Sequence, residues 1–150
     1  MALRPTRNEH LTDLSFFMDE TSERGVMITA SSQGSGAAMD QSAAAVQVAA
    51  ALDDKPVGLL LNDMVNLDLT RQHINYDQDE MQKGGKVLLL RAGFVVTDQI
   101  SGAITLGDPA HFVPGGLFCS ATASSHSAQV GRWLSKKDAD GYAKIQINIV

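Results

Sequence analysis

The sequence predicts an all-β chain: a small β-barrel or sandwich with an extended N-terminal arm. Three observations carry that prediction. Over residues 142–149 the side chains alternate strictly. Ala143, Ile145, Ile147 and Ile149 fall on one face, and Tyr142, Lys144, Gln146 and Asn148 on the other. That is the period-two pattern of a half-buried strand. Residues 86–97 form the strongest β-favouring run of the chain, centred on Val87-Leu88-Leu89-Leu90 and Phe94-Val95-Val96-Thr97. Beyond it Gly102, Gly107, Pro109, Pro114, Gly115 and Gly116 recur at short spacing and cut the region into brief strands.

Taken in order, residues 1–23 are polar and mixed in charge, with one apolar knot at Phe16, Phe17 and Met18. Thr12 could cap a short helical turn, but the knot is too brief to bury a helix face, so the segment reads as an arm. Residues 24–30 are the first strand, and the Ser/Gly-rich stretch 31–36 is a loop. In residues 43–52 the alanines favour helix, while Val46-Gln47-Val48 alternates like a strand; the neighbouring strands tip the reading to β. Asp53-Asp54-Lys55-Pro56 is a turn. The wholly apolar run 57–61 predicts a strand buried on both faces. Residues 62–82 are polar with sparse apolar positions, a surface excursion long enough to suggest a task of its own. Gly93, inside the run 86–97, predicts a bulge or a bend between two strands. Brief strands follow at 103–106, 110–113 and 117–121. Residues 129–134 and 142–149, joined by a polar loop ending in Gly141, predict a hairpin, whose last strand is expected to close the sheet. The division is an arm at 1–23 and a barrel domain at 24–150.

Composition limits the function classes. The 150 residues are enough for one domain that buries roughly 68–70% of its unfolded surface. Aromatics are 5% of the chain, so Val, Leu and Ile are expected to dominate the core. The net charge is -5 with no basic block, which argues against sequence-independent nucleic-acid binding. Cys119 is the single cysteine; it allows no intrachain disulfide and fits a reducing compartment. The N-terminus carries no secretory h-region, and no stretch reaches the ~20 apolar residues of a membrane span. The expectation is a soluble protein with no membrane or nucleic-acid partner, made in a cytoplasm.

Motifs for catalysis are weak. His10, His73, His111 and His126 are scattered without metal-ligand spacing, so no metal or other cofactor is expected. Asp138-Ala139-Asp140-Gly141 resembles the opening of a calcium loop but lacks its later acidic positions; turn chemistry explains it better. Gly34-Ser35-Gly36 lacks the Lys-Ser/Thr of a phosphate loop. Cys119 and Ser120 with His111 or His126 could make a nucleophile pair, yet there is no Gly-x-Ser-x-Gly elbow, and Cys119 sits where a small buried hydrophobe is expected. These absences point away from an enzyme.

Several stretches together resemble one family. They are Ser35-Gly36-Ala37-Ala38-Met39-Asp40-Gln41-Ser42; the run 57–75, from Val57-Gly58-Leu59 to His73-Ile74-Asn75; Gly84-Gly85-Lys86-Val87 followed by Gly93-Phe94-Val95-Val96-Thr97; Gly107-Asp108-Pro109-Ala110; and Val130-Gly131-Arg132-Trp133-Leu134 followed by Asp140-Gly141-Tyr142-Ala143-Lys144. In this order and spacing they are similar to the small head decoration, or capsid cement, proteins of tailed bacteriophages, from about residue 13 to the C-terminus. The resemblance implies a virion protein without catalytic activity. It implies a β-barrel or β-tulip-like domain on the outer face of the capsid, bound to the major capsid protein and often homotrimeric at true and local threefold positions. The family has no motif of functional residues. By similarity, capsid contact is assigned to the arm, at Arg4, Arg7, Asn8, Leu11, Leu14, Phe16 and Phe17, and to the excursion, at Arg71, His73 and Tyr76. The alternatives are another virion β module, such as a tail-tube or adaptor subunit, and a small hydrolase or binding domain using Cys119, Ser120 and a His.

Overall fold

A computed structural model describes residues 10–13, 16–31, 45–62, 80–81, 83–121 and 125–149. Among them every element is a strand: β1 Leu11–Asp13, β2 Phe17–Met18, β3 Ser22–Glu23, β4 Met27–Ala30, β5 Ala45–Val48, β6 Pro56–Asn62, β7 Glu80–Met81, β8 Leu88–Thr97, β9 Pro109–Phe112, β10 Phe118–Ser120, β11 Gly131–Trp133 and β12 Ala143–Asn148. Ten of these form one sheet. Its order is β10-β9-β11-β12-β8-β6-β4-β5-β2, with β1 paired to β8; β3 and β7 pair separately. The strand pairs are antiparallel except β2 with β5.

The sheet rolls until its ends meet other parts of the chain, giving a nearly closed barrel. Residues just after β8 bond to β10: Ser101 N–H donates to Phe118 O at 2.7 Å, and Phe118 N–H to Gln99 O at 2.9 Å. The turn after β9 reaches across to the other half, where Gly115 N–H donates to Ala49 O and Met27 N–H to Gly116 O, both at 2.8 Å. At the far end β2 is bonded to the stretch leading into β8. Met18 N–H donates to Gly85 O at 2.9 Å, Gly84 N–H to Met18 O at 2.7 Å and Val87 N–H to Phe16 O at 3.1 Å.

Two hydrophobic clusters lie on opposite faces of the central strands. Met27, Leu59 and Leu90 join Phe112, Phe118, Trp133, Ile145 and Ile147 in the larger one. Their neighbours Ile28, Leu60 and Leu89 join Met18, Val26 and Val87 in the smaller. Successive side chains of a strand point to opposite faces, so β4, β6 and β8 are buried on both. This is why residues 57–61 carry no polar position. Three aromatics, Trp133, Phe112 and Phe118, are the largest fully buried side chains, so the core is less purely aliphatic than composition suggested.

Most expected strands are present, with three differences. Residues 103–106 form no strand: Ile104 enters the core, but Asp108 N–H turns back to Thr105 O and Gly107 N–H bonds Trp133 O, so the chain already turns at Thr105, within the expected strand. Gly93 does not divide its run; β8 is continuous and keeps regular register with β12 from Ala92↔Asn148 to Thr97↔Ala143. β12 alternates in burial as expected, but it lies mid-sheet between β11 and β8. It joins the two halves of the sheet rather than closing it. The described part of the expected arm is bonded into the sheet: β1 pairs β8, β2 pairs β5, and Val48 N–H donates to the Glu20 carboxylate at 2.7 Å. The expected excursion falls largely outside the described residues.

Candidate functional site

The chemistry-bearing residues near Cys119 are occupied structurally. Cys119 and His111 are cross-strand partners on β10 and β9. Cys119 is 1% exposed, and burial pushes its thiol above the ordinary value, which disfavours the nucleophilic thiolate. Ser120 Oγ donates to the Asp108 carboxylate at 3.0 Å. The rings of His111 and His126 lie 4.1 Å apart, and both Nδ1 atoms are bonded to Ser127 O, at 2.8 and 2.9 Å. A carbonyl only accepts, so each ring carries its proton on Nδ1. These groups hold the 125–130 segment against β9. In the 135–141 loop, Asp138 Oδ1 accepts N–H bonds from Asp140 and Tyr142 at 3.0 and 2.8 Å, the turn chemistry expected of it.

The exposed surface is more informative. Of the ten residues assigned to capsid contact, Leu11, Phe16 and Phe17 are described; Arg4, Arg7, Asn8, Leu14, Arg71, His73 and Tyr76 lie outside the described residues. Leu11 begins β1 and is 59% exposed. Phe16 packs against the smaller core cluster. Phe17 is half-buried in β2, with Lys86 Nζ 5.8 Å from its ring centre. Just before β1, His10 lies over Gly93, where a Cβ would run into the His10 ring. The missing side chain at Gly93 is thus the notch in which the N-terminal segment crosses β8.

A second surface escaped the sequence-based assignment. Phe94 and Val96 point outward from β8 and are 41% and 58% exposed; Tyr142, just before β12, is 43% exposed. Phe94 pairs with Gln146 and Val96 with Lys144. Lys144 Nζ stands 5.5 Å from the Phe94 ring centre, and Arg132 on β11 pairs with Gln146. The strip borders a groove of about 350 Å3 lined by Gly25, Leu59, Leu60, Val95, Thr97 and Gln99 among others. The signal was present in the alternation of Phe94 and Val96 with Val95 and Thr97, but an apolar run reads as buried until its partner strands are known.

Phe94, Val96 and Tyr142 are three of the large apolar side chains left exposed among the described residues. Comparison with known proteins names the setting. A family model described as structural cement protein (E217 gp24/Pam3 gp6) matches residues 13–148, which spans every strand but the first two residues of β1. No curated protein matches the chain. Because the match runs through the barrel core, the notch region and the exposed strip alike, the chain belongs to the phage structural cement protein family.

Proposed function

We propose that the protein clamps the outer face of a phage capsid as a homotrimer at threefold and quasi-threefold positions, made in the host cytoplasm and acting without catalysis. The family match over residues 13–148 carries this reading. The capsid contacts are placed in the N-terminal segment, at Arg4, Arg7, Asn8, Leu11, Leu14, Phe16 and Phe17, and in the region of Arg71, His73 and Tyr76. What supports the first group is anchorage. The N-terminal segment is bonded to the sheet at β1 and at β2, and Met18 enters the core at 2% exposure, so a load on the residues before it passes into the barrel. Packaged DNA presses outward on the shell. A protein that bridges subunit seams raises the cost of parting them, and three arms on one trimer bind with avidity.

Mixing the purified protein with undecorated heads and sedimenting them tests the proposal. Co-sedimentation and a higher temperature of head disruption are expected; failure to bind heads in either the compact or the expanded state would sink it.

A further inference from the structure

We infer that the open backbone edge of β8, over Phe94 to Val96, is the docking site of the chain's own N-terminal segment. Residues 6–9 continue β1 along β8 as an antiparallel strand that ends at Pro5. This goes beyond the capsid-binding reading and does not depend on it.

The hydrogen bonds of β12 show which way β8 faces. Lys144 O accepts from Leu134 N–H at 2.8 Å, and Asn148 N–H donates to Val130 O at 3.0 Å. The even-numbered residues of β12 thus turn their backbone groups to β11, and the odd-numbered ones turn theirs to β8. Ile145 and Ile147 lie opposite Val95 and Gly93. Along β8 the direction alternates too, so Phe94 and Val96 aim N–H and C=O away from β12. Ala92 aims the same way, and there Leu11 of β1 pairs with it. Among the described residues no strand pairs with this edge past Ala92. Val95, Val96 and Thr97 also line the groove of about 350 Å3, so space adjoins the edge.

Chain connectivity selects the occupant. His10 already fills the space that a Gly93 Cβ would take, so the register Leu11↔Ala92 runs on to His10 opposite Gly93. Continued further, it sets Glu9 opposite Phe94 and Arg7 opposite Val96, with their backbone groups facing each other. The segment needs no separate encounter, because covalent linkage holds it at high effective concentration. Pro5 falls opposite Asp98; it has no N–H to give and ends the strand there. Charge agrees with this register. The face carries both signs: Lys144 and Arg132 on β12 and β11, Asp98 just past β8, and Glu23 and Arg24 in the adjoining groove. Glu9 comes beside Phe94, and Lys144 Nζ stands 5.5 Å from that ring centre. Arg7, beside Val96, is diagonal to Asp98. A slip of one residue would turn both Arg7 and Glu9 to the other face. An open edge is a template for another chain; this pairing closes it and holds Arg7 on a strand.

Two measurements on the full chain, without heads, test this. The first is amide hydrogen exchange followed by NMR. Val95 and Thr97 N–H face β12 and are the protected reference. Phe94 and Val96 N–H are expected to exchange about tenfold or more slowly in wild type than in Arg7→Pro/Glu9→Pro, which lacks both donors on the added strand. Equal exchange in the two proteins, with Val95 still protected, overturns the inference. The second is cross-linking in a Cys119→Ala background. Hydrogen-bonded antiparallel pairs hold their Cα atoms about 5.5 Å apart, within disulfide reach. Arg7→Cys/Val96→Cys should therefore form an intrachain disulfide under mild oxidation. Asn8→Cys/Val96→Cys, with side chains on opposite faces, should not. The inference is overturned if the first pair forms no disulfide or if both pairs form it equally. It is also overturned if the bond joins two chains, which would make the occupant a second copy's segment. Binding to heads enters neither measurement, so neither outcome touches the capsid reading.

Discussion

Trp133 has 0% exposure; it meets the Phe118 ring edge-on at 6.4 Å, and its Nε1–H donates to Cys119 O at 3.3 Å. Trp133→Ala should therefore cost about 3–5 kcal/mol, read from urea unfolding followed by circular dichroism, because the variant lacks the chain's only tryptophan. Gly131 is constrained by space rather than by conformation: a Cβ there would run into the Gln146 carbonyl oxygen across the β11–β12 pair. Gly131→Ala should cost about 1–3 kcal/mol by the same measurement. Cys119 yields a pH effect. Its folded thiol titrates above the ordinary value of 9.0 because it is buried. The folded state thus keeps the proton that the unfolded chain gives up. The stabilisation is complete below the unfolded value and declines as pH rises past it, by up to about 1.4 kcal/mol per pH unit. Comparing wild type with Cys119→Ala between about pH 8 and about pH 10 should show a shallower alkaline decline in the variant; parallel declines would refute the assignment. At this scale the sequence was partly legible. Cys119 as a buried hydrophobe and Asp138 as a turn former follow from residue chemistry. The roles of Gly93 and Gly131 do not, because what fills or abuts their empty side-chain space comes from far along the chain.

The central strands show how an element can be legible while its surroundings are not. The apolar run at 57–61 signals a strand buried on both faces, and Leu59 and Leu60 enter different clusters. What covers the second face was not legible. Phe16 to Met18 reads as an apolar knot in a polar arm, since a two-residue strand has no periodicity to detect. In the structure Met18 joins Ile28, Leu60, Val87 and Leu89. Met18→Ala should consequently destabilise by about 2–5 kcal/mol. Deleting residues 1–18 should go further and expose that cluster, so that a hydrophobic dye binds the truncated protein at temperatures where the full chain excludes it. No change in dye binding would mean that β4, β6 and β8 do not need this cover. The strand expected at 103–106 failed for the opposite reason: Ile104 has the burial of a strand residue, but its neighbours bond within a turn and to Trp133, and hydropathy does not report where backbone hydrogen bonds go.

For the molecule as a whole, the topology places the longest continuous strand pairing at the middle of the sheet. β12 lies between β8 and β11 and shares six residue pairs with β8, so the two halves of the barrel are held by its best-registered pairing. The N-terminal segment enters this body through β1 on β8. A trimer held by three such segments responds to their loss differently from a monomer. Suppose deletion of residues 1–9 weakens each arm's contact tenfold, about 1.4 kcal/mol. A monomer then loses a factor of ten, whereas a trimer engaging all three arms loses about a thousandfold, because the three penalties add within one binding event. Retention on heads during serial dilution measures that ratio, with light scattering fixing the mass of the free protein. The expected outcome is a loss far steeper than the single-arm factor, where the single-arm factor is obtained from the arm peptide's own affinity for heads. A loss no larger than that factor would mean that the arms act singly, and the threefold clamp would have to give way to independent one-point attachment.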